Sequence, residues 1–254
     1  MIIMNTIRIN EEWFDRLMPE GLPIPSSTLL SGPGGSGKPL IGNVVVAAWL
    51  RQGGSVIFMS LQYPDHNFIV SSLKSITHLD LEDYKDRIAF IELDVSQESL
   101  AVVANNRVKA NVVKPDIWDA AIEYACSIVP NEKPGILFFG TALNLLLFSP
   151  TYGIEIFEKI KTVMQQNIKF SLLFSTSTSA KKEEVIELEN LADNLIMTRS
   201  EPETNKLYLQ IGRMKNVSFV SEEIEVPISP EMIMDMKEVA DHGRKRIIPL
   251  ISKI

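Results

Sequence analysis

Apolar runs of strand length alternate along the chain with longer segments in which apolar residues recur at helical spacing. Such alternation is typical of parallel β-α-β units, and it predicts an α/β fold with a mostly parallel central sheet flanked by helices. Strands are predicted at residues 27–31, 55–61, 88–93, 135–139 and 169–174, and helices at residues 39–52, 68–76, 116–129 and 154–164.

From residue 194 the pattern changes to strand, turn and strand, which predicts an antiparallel C-terminal extension of the sheet. The basic run Arg244, Lys245 and Arg246 is expected to be a solvated turn before a last strand. Residues 94–115 show no firm period, so we expect a surface loop there. The late strands are predicted at residues 195–197, 207–211 and 219–228, and in the isoleucine-rich segment 247–254.

A chain of 254 residues with 45% hydrophobic content can bury one sizeable core, so we expect a single domain over residues 1–254. No apolar run is long enough to span a membrane. Residues 1–10 lack the basic start and the cleavage site of a signal peptide. We therefore expect a cytoplasmic protein without a membrane span.

The net charge of −7 repels polyanions, whereas nucleic-acid binders present basic faces that displace counterions from phosphates. Nucleic acid is therefore not expected as a primary partner. Cys126 is the only cysteine, which excludes an internal disulfide, and its helical spacing predicts a small core residue. The three histidines lie far apart in sequence and lack a metal-ligand spacing, so no metal site is predicted.

One glycine-rich run stands between a predicted strand and a predicted helix. It reads Gly-Pro-Gly-Gly-Ser-Gly-Lys at residues 32–38 and fills seven of the eight positions of the P-loop pattern. Its glycines let backbone N–H groups converge on a phosphate, and the helix N-terminus and lysine add positive charge. The predicted nucleotide-binding residues of this segment are Gly32, Gly34, Gly35, Ser36, Gly37, Lys38, Pro39 and Leu40.

The eighth position of the pattern is Pro39, where a P-loop has the serine or threonine whose hydroxyl binds Mg²⁺. Proline has no hydroxyl and no backbone N–H, so a metal ligand and a phosphate donor are both lost. The first turn of a helix tolerates proline well. We therefore expect Pro39 to preserve the fold while it damages the site.

The chain resembles the KaiC-like branch of the RecA superfamily, which includes archaeal KaiC-like proteins and RadA paralogues. The resemblance rests on five segments. They are residues 12–30, which lead into the P-loop, Ser-Leu-Gln-Tyr-Pro at residues 60–64, Leu-Glu-Asp-Tyr at 81–84, Leu-Ala-Asp at 191–193, and Arg-Met-Lys at 213–215. It spans most of the chain and implies a RecA-like P-loop NTPase core.

The resemblance also implies catalytic acids that this chain lacks. The family's second strand ends in glutamates that polarise the attacking water, and Gln62 and Tyr63 stand at those positions. The Walker B aspartate that holds the metal's water shell is replaced by Gly140, with Phe138 as the alternative alignment. Walker A and Walker B are thus both degenerate, and we predict no catalytic residue.

Arg213 and Lys215 match a basic pair that, in the family, reaches across a subunit interface towards the neighbour's γ-phosphate. The same residues also fit an ordinary charged turn. The resemblance therefore implies nucleotide contacts by Arg213 and Lys215 together with a possible homo-oligomer. Without an active-site metal to clamp neighbours, we expect a monomer or a small oligomer.

Three functions stay open from the sequence. The first is a regulatory or scaffold pseudo-ATPase that acts through protein partners. The second is an ATP-binding protein or weak ATPase of the KaiC and RadA-paralogue type, linked to DNA recombination or repair or to motor regulation, in which acids such as Asp65 or Glu183 compensate. The third is nucleotide sensing, in which ATP or ADP is held weakly and without Mg²⁺.

Overall fold

The computed structural model describes residues 5–63, 66–166, 169–201 and 203–254. Asp65, one of the acids considered as compensating, lies outside the described residues. The strands are β1 (Thr6–Ile7), β2 (Leu22–Pro23), β3 (Ser27–Gly32), β4 (Ser55–Ser60), β5 (Ile88–Leu93), β6 (Ala101–Ala104), β7 (Arg107–Ala110), β8 (Ile136–Gly140), β9 (Ser171–Ser177), β10 (Asn194–Ser200), β11 (Leu207–Arg213) and β12 (Ile224–Val226).

Helices connect these strands and cover the sheet. They are α1 (Glu12–Leu17), α2 (Lys38–Arg51), α3 (His66–Thr77), α4 (Pro115–Ser127), α5 (Gly153–Gln166), α6 (Lys182–Leu191) and α7 (Pro230–Ile251), with 3₁₀ turns at Leu81–Tyr84 and Leu143–Phe148.

Ten strands form one sheet in the order β12-β11-β10-β3-β9-β8-β4-β5-β7-β6. The strands from β10 to β7 in this order are parallel to one another, and β11, β12 and β6 pair antiparallel at the two edges. The predicted α/β fold with an antiparallel C-terminal extension is therefore confirmed. That residues 1–254 form a single domain stays a prediction.

The core lies on both faces of the sheet, which explains the uninterrupted apolar strands. On one face, α2 and α3 pack on the sheet, and α2 is buried nearly all round, as its apolar composition predicts. On the other face, α4 and α5 cover the sheet. Cys126 is half-buried against this second cluster, at the margin of the core.

Helix α7 joins the two faces. Its buried positions Ile233, Met236, Ala240, Gly243, Ile247 and Ile251 follow helical spacing. The first three belong to the core on the α2 face, and the last two belong to the core on the α4 face. The helix therefore crosses the carboxyl ends of the central strands. The predicted last strand at residues 247–254 is wrong, because this stripe of apolar residues prefers a helix. The predicted turn at Arg244–Arg246 is wrong for the same reason.

Two further predictions need correction. Residues 94–115 contain the hairpin β6–β7 rather than an irregular loop, because Val108 and Ala110 alternate with more exposed residues and are buried against β5. The predicted strand at 219–228 shrinks to β12, where pairing with β11 covers only three positions. Among the described residues, no helix is long and apolar enough to cross a membrane.

Candidate functional site

The glycine-rich run forms the connection between β3 and α2, as the sequence predicts. Gly35 has φ 76° and Gly37 has φ 64°, values in the left-handed region that favours glycine. Helix α2 then begins at Lys38 with Pro39 in its first turn. The backbone of this segment therefore has the strand, turn and helix sequence of a phosphate-binding loop.

Lys38 folds back on the loop. Its Nζ donates to the carbonyl oxygens of Gly32 at 2.8 Å and Pro33 at 2.7 Å, and to Oγ of Ser36 at 3.0 Å. The side chain is buried, with 6% exposed. Burial, together with the nearby Arg244 guanidinium, lowers the pKa of Lys38 from 10.5 to about 7. The Lys38 amine is therefore about half protonated at pH 7 in the folded chain.

A cavity of about 450 Å³ opens beside the loop, which is within the usual range for ligand pockets. One wall is the loop itself, and a second is formed by the ends of β4 and β9 with the 3₁₀ turn at Leu143–Phe148. The remaining wall is α7, whose lining residues are Ile233, Met236, Lys237, Ala240, Asp241, Arg244, Lys245, Ile248 and Pro249.

Helix α7 packs closely on the end of β4 and on the glycine-rich loop. A methyl group placed on Gly243 would lie 1.8 Å from the carbonyl oxygen of Gln62, so only glycine lets the helix approach here. A methyl group on Gly34 would lie 2.7 Å from Nη1 of Arg244, and one on Gly35 would lie 3.1 Å from the Lys237 stem. Helix α7 therefore covers the phosphate-binding face of the loop.

The carboxyl end of β9 supplies hydroxyl and amide groups to the cavity. Oγ of Ser179 accepts a hydrogen bond of 3.0 Å from the Gly34 N–H, and Oδ1 of Asn144 accepts one of 3.0 Å from the Ser177 N–H. Thr176 is fully buried, and its hydroxyl has no hydrogen-bond partner in the described part of the chain. Thr176 is among the residues that line the cavity.

The described residues of the cavity do not fit a Mg²⁺ ion. Mg²⁺ is held by hydroxyl and carboxylate oxygens around an octahedron. Pro39 offers no side-chain oxygen, and the only carboxylate among the described lining residues is Asp241, which pairs with Arg244. No group of three or more potential metal-ligating side chains occurs in the ranges that the structure describes. A nucleotide's phosphates suit the loop, but the metal does not.

Gln62 and Tyr63 line the cavity at the end of β4. Both are nearly buried, and Nε2 of Gln62 donates to the Tyr63 hydroxyl at 3.1 Å. Burial raises the pKa of the Tyr63 hydroxyl, so this group stays protonated at neutral pH. Neither side chain is a base in this state. Glu183, considered as a compensating acid, is exposed on α6 and does not line the cavity.

The structure brings together only part of the predicted set. Residues 34–39 line the cavity, whereas Gly32, Leu40 and Gly140 do not. A methyl group on Gly140 would lie 3.0 Å from Leu143 and 3.1 Å from Phe174, both in the core on the α4 face. A side chain at Gly140 would therefore point away from α2. The Walker B alignment at Gly140 stays a prediction.

Arg213 and Lys215 are fixed within their own chain. The Arg213 guanidinium donates to the carbonyl oxygen of Ala192 at 2.7 Å and also to that of Glu189, so it closes the C-terminal end of α6. Lys215 forms an ion pair of 2.9 Å with Asp193. Neither residue lines the cavity. Their predicted contact with a nucleotide stays a prediction.

Several lining residues were missed from the sequence. Thr176 and Ser177 lie beyond the predicted end of the fifth strand, because β9 runs to Ser177 rather than Phe174. Lys237 and Arg244 come from α7, where the sequence pattern predicts a turn at residues 244–246, a strand at 247–254 and no element at 230–243. The helical stripe in α7 was the available signal. Nothing in the local pattern shows that α7 returns to the loop, since this contact spans about 200 residues of sequence.

A sheet of this order with a phosphate loop between β3 and α2 defines a RecA-like P-loop protein. A KaiC-like protein of the hyperthermophilic archaeon Pyrococcus horikoshii has a similar crystal structure, with a TM-score of 0.64 and 14% identity over 89% of this chain and 96% of that one. This likeness is one of fold. A comparison with curated protein sequences finds no match.

The family model of the KaiC ATPases matches residues 8–239. The chain therefore belongs to the KaiC ATPase family, as the resemblance implies. The match ends inside α7, so Arg244 and the rest of the helix's C-terminal half lie beyond the segment matched by the family.

Proposed function

We propose that this protein is a non-hydrolysing member of the KaiC family, a regulatory or scaffold component that acts through protein partners. The observation that carries the proposal is the composition of the cavity beside the phosphate loop. Its described lining contains one carboxylate, Asp241, which is paired with Arg244, and it has Pro39 where a metal-binding hydroxyl belongs.

Phosphoryl transfer to water needs charge neutralisation and a positioned nucleophile. Each strong electrostatic contact of this kind contributes about 3 kcal/mol to the barrier. Gln62 can orient a water molecule, but its amide cannot accept the proton of that water. Loss of the metal ligand and of the base together therefore leaves little catalysis.

The phosphate loop itself remains suited to an anion. Lys38 lies within it, and the convergent N–H groups and the helix N-terminus favour negative charge. We propose that ATP or ADP binds here weakly and without Mg²⁺, and that the bound state changes the surface presented to protein partners. The protein would then sense nucleotide without turnover.

Two measurements on the full chain test this proposal. Phosphate release from Mg²⁺-ATP should not exceed that of the Lys38→Met variant, which serves as the background. Calorimetric titration of ATP should give the same affinity in Mg²⁺ as in excess EDTA. Steady phosphate release above the Lys38→Met background, together with Mg²⁺-dependent tight binding, would overturn the proposal.

A further inference from the structure

We infer that α7 is a cis-acting phosphate clamp, in which Arg244 and Lys237 bind the phosphate groups of a metal-free polyphosphate held on the loop. The ligand class, a nucleoside polyphosphate or pyrophosphate, rests on the proposed function. The clamp itself rests on the position and charge of α7. In other phosphate-binding sites a metal ion supplies positive charge. Here α7 supplies it through Arg244 and Lys237.

Arg244 is the central residue of the clamp. Its guanidinium lies against Gly34 of the loop, where a methyl group on that residue would be 2.7 Å from Nη1. The Asp241 carboxylate on the preceding helical turn holds one edge of the guanidinium, and the side chain stays only 25% exposed. Because guanidinium has five donors in a planar fork, the edge not used by Asp241 remains able to bind phosphate oxygens.

Lys237 lies about two turns earlier on the same helix. Its aliphatic stem lies on Gly35, and its ammonium group has no carboxylate partner within the described residues. It is exposed at the rim of the cavity, where its charge is partly screened. We therefore expect a smaller contribution from Lys237 than from Arg244.

Thr176 is a further residue of the cavity lining that bears on the ligand. Its side chain is fully buried, and its hydroxyl makes no hydrogen bond in the described part of the molecule. A phosphate oxygen that reached this hydroxyl would accept a hydrogen bond from it.

The positive charge of the cavity lining also favours binding of an anion. Among the described lining residues, four are basic, Lys38, Lys237, Arg244 and Lys245, and one, Asp241, carries a carboxylate. Like-charge proximity between Arg244 and Lys38 contributes to the lowered pKa of Lys38. A polyphosphate relieves this repulsion, because it carries several negative charges and accepts hydrogen bonds from both cations.

The clamp is supplied in cis. Arg213 and Lys215, the residues expected to reach a neighbour, are fixed to Ala192 and Asp193 of their own chain. Arg244 lies beyond residues 8–239, the segment that the family model matches. Binding should therefore not depend on protein concentration.

The test is calorimetric titration of sodium pyrophosphate, and then of ATP, into the full chain in excess EDTA. Removal of a charged hydrogen-bond donor should weaken binding about tenfold or more for Arg244→Gln and about threefold for Lys237→Gln. The matched control is Arg246→Gln, an exposed cation on the same helix that does not line the cavity. This variant should bind as the wild type does.

Circular dichroism confirms that each variant is folded, and Arg244→Lys supplies a second variant that keeps the charge without the fork. The clamp is refuted if folded Arg244→Gln binds pyrophosphate as well as, or more tightly than, the wild type, because α7 would then only obstruct the loop. It is equally refuted if the wild type binds no pyrophosphate. Hydrolysis of Mg²⁺-ATP would instead overturn the proposed function while the Arg244 effect stood.

Discussion

Lys38 shows how burial changes the chemistry of a single residue. Its pKa falls from 10.5 to about 7 in the folded chain, so between these values the unfolded chain holds a proton that the folded chain releases. The free energy of unfolding should therefore rise with pH across this window, by up to about 1.4 kcal/mol per pH unit. Below about pH 7 the full penalty of the buried charge is present.

Urea denaturation at a series of pH values measures this effect. The Lys38→Met variant should lose the rise, whereas Lys182→Met, at an exposed position on α6, should keep it. Equal pH dependence of the wild type and Lys38→Met would show that Lys38 is charged in the folded chain.

The same pKa links ligand binding to protons. A phosphate beside Lys38 favours its charged form, so binding above pH 7 should draw a proton from the buffer. Calorimetry of pyrophosphate binding in buffers of different ionisation enthalpy measures this uptake. The uptake should disappear in Lys38→Met if any binding remains, and its absence in the wild type would contradict the expected role of Lys38.

At the scale of the element, the position of α7 depends on Gly243. A glycine-to-alanine change within a helix usually stabilises it by about 1 kcal/mol. Here the added methyl would lie 1.8 Å from the Gln62 carbonyl oxygen, so Gly243→Ala should lower the melting temperature and increase hydrogen exchange along α7. Glu238→Ala, at an exposed position of the same helix, is the control and should not. A stabilised Gly243→Ala would mean that α7 does not pack on β4.

The elements with a buried face were predictable because their apolar period is local. The strand at Ile88–Leu93, the helix α2 and the phosphate loop all lie where the pattern predicts them. The C-terminal half of α7 was not predictable from the pattern, because its isoleucines also suit a strand. The site was only half predictable: residues 34–39 form a contiguous motif, but Thr176 and Arg244 reach the cavity through folding of distant segments.

At the scale of the whole molecule, we expect α7 to limit assembly. The helix lies on the loop that a neighbouring subunit would have to approach, and Arg213 is bound to its own α6. We expect a monomer or small oligomer at micromolar concentration, with or without ATP. Multi-angle light scattering measures this directly, and a stable hexamer in the absence of nucleotide would contradict it.

The double anchorage of α7 has a consequence for the rate of ligand capture. Because Ile233 and Met236 join one core and Ile247 and Ile251 join the other, the helix cannot lift from the loop at one end without exposing apolar surface there. We therefore expect opening of α7 to be rare and to precede entry of the ligand. In stopped-flow experiments, the observed rate of binding should level off at high ligand concentration, at the frequency with which α7 opens.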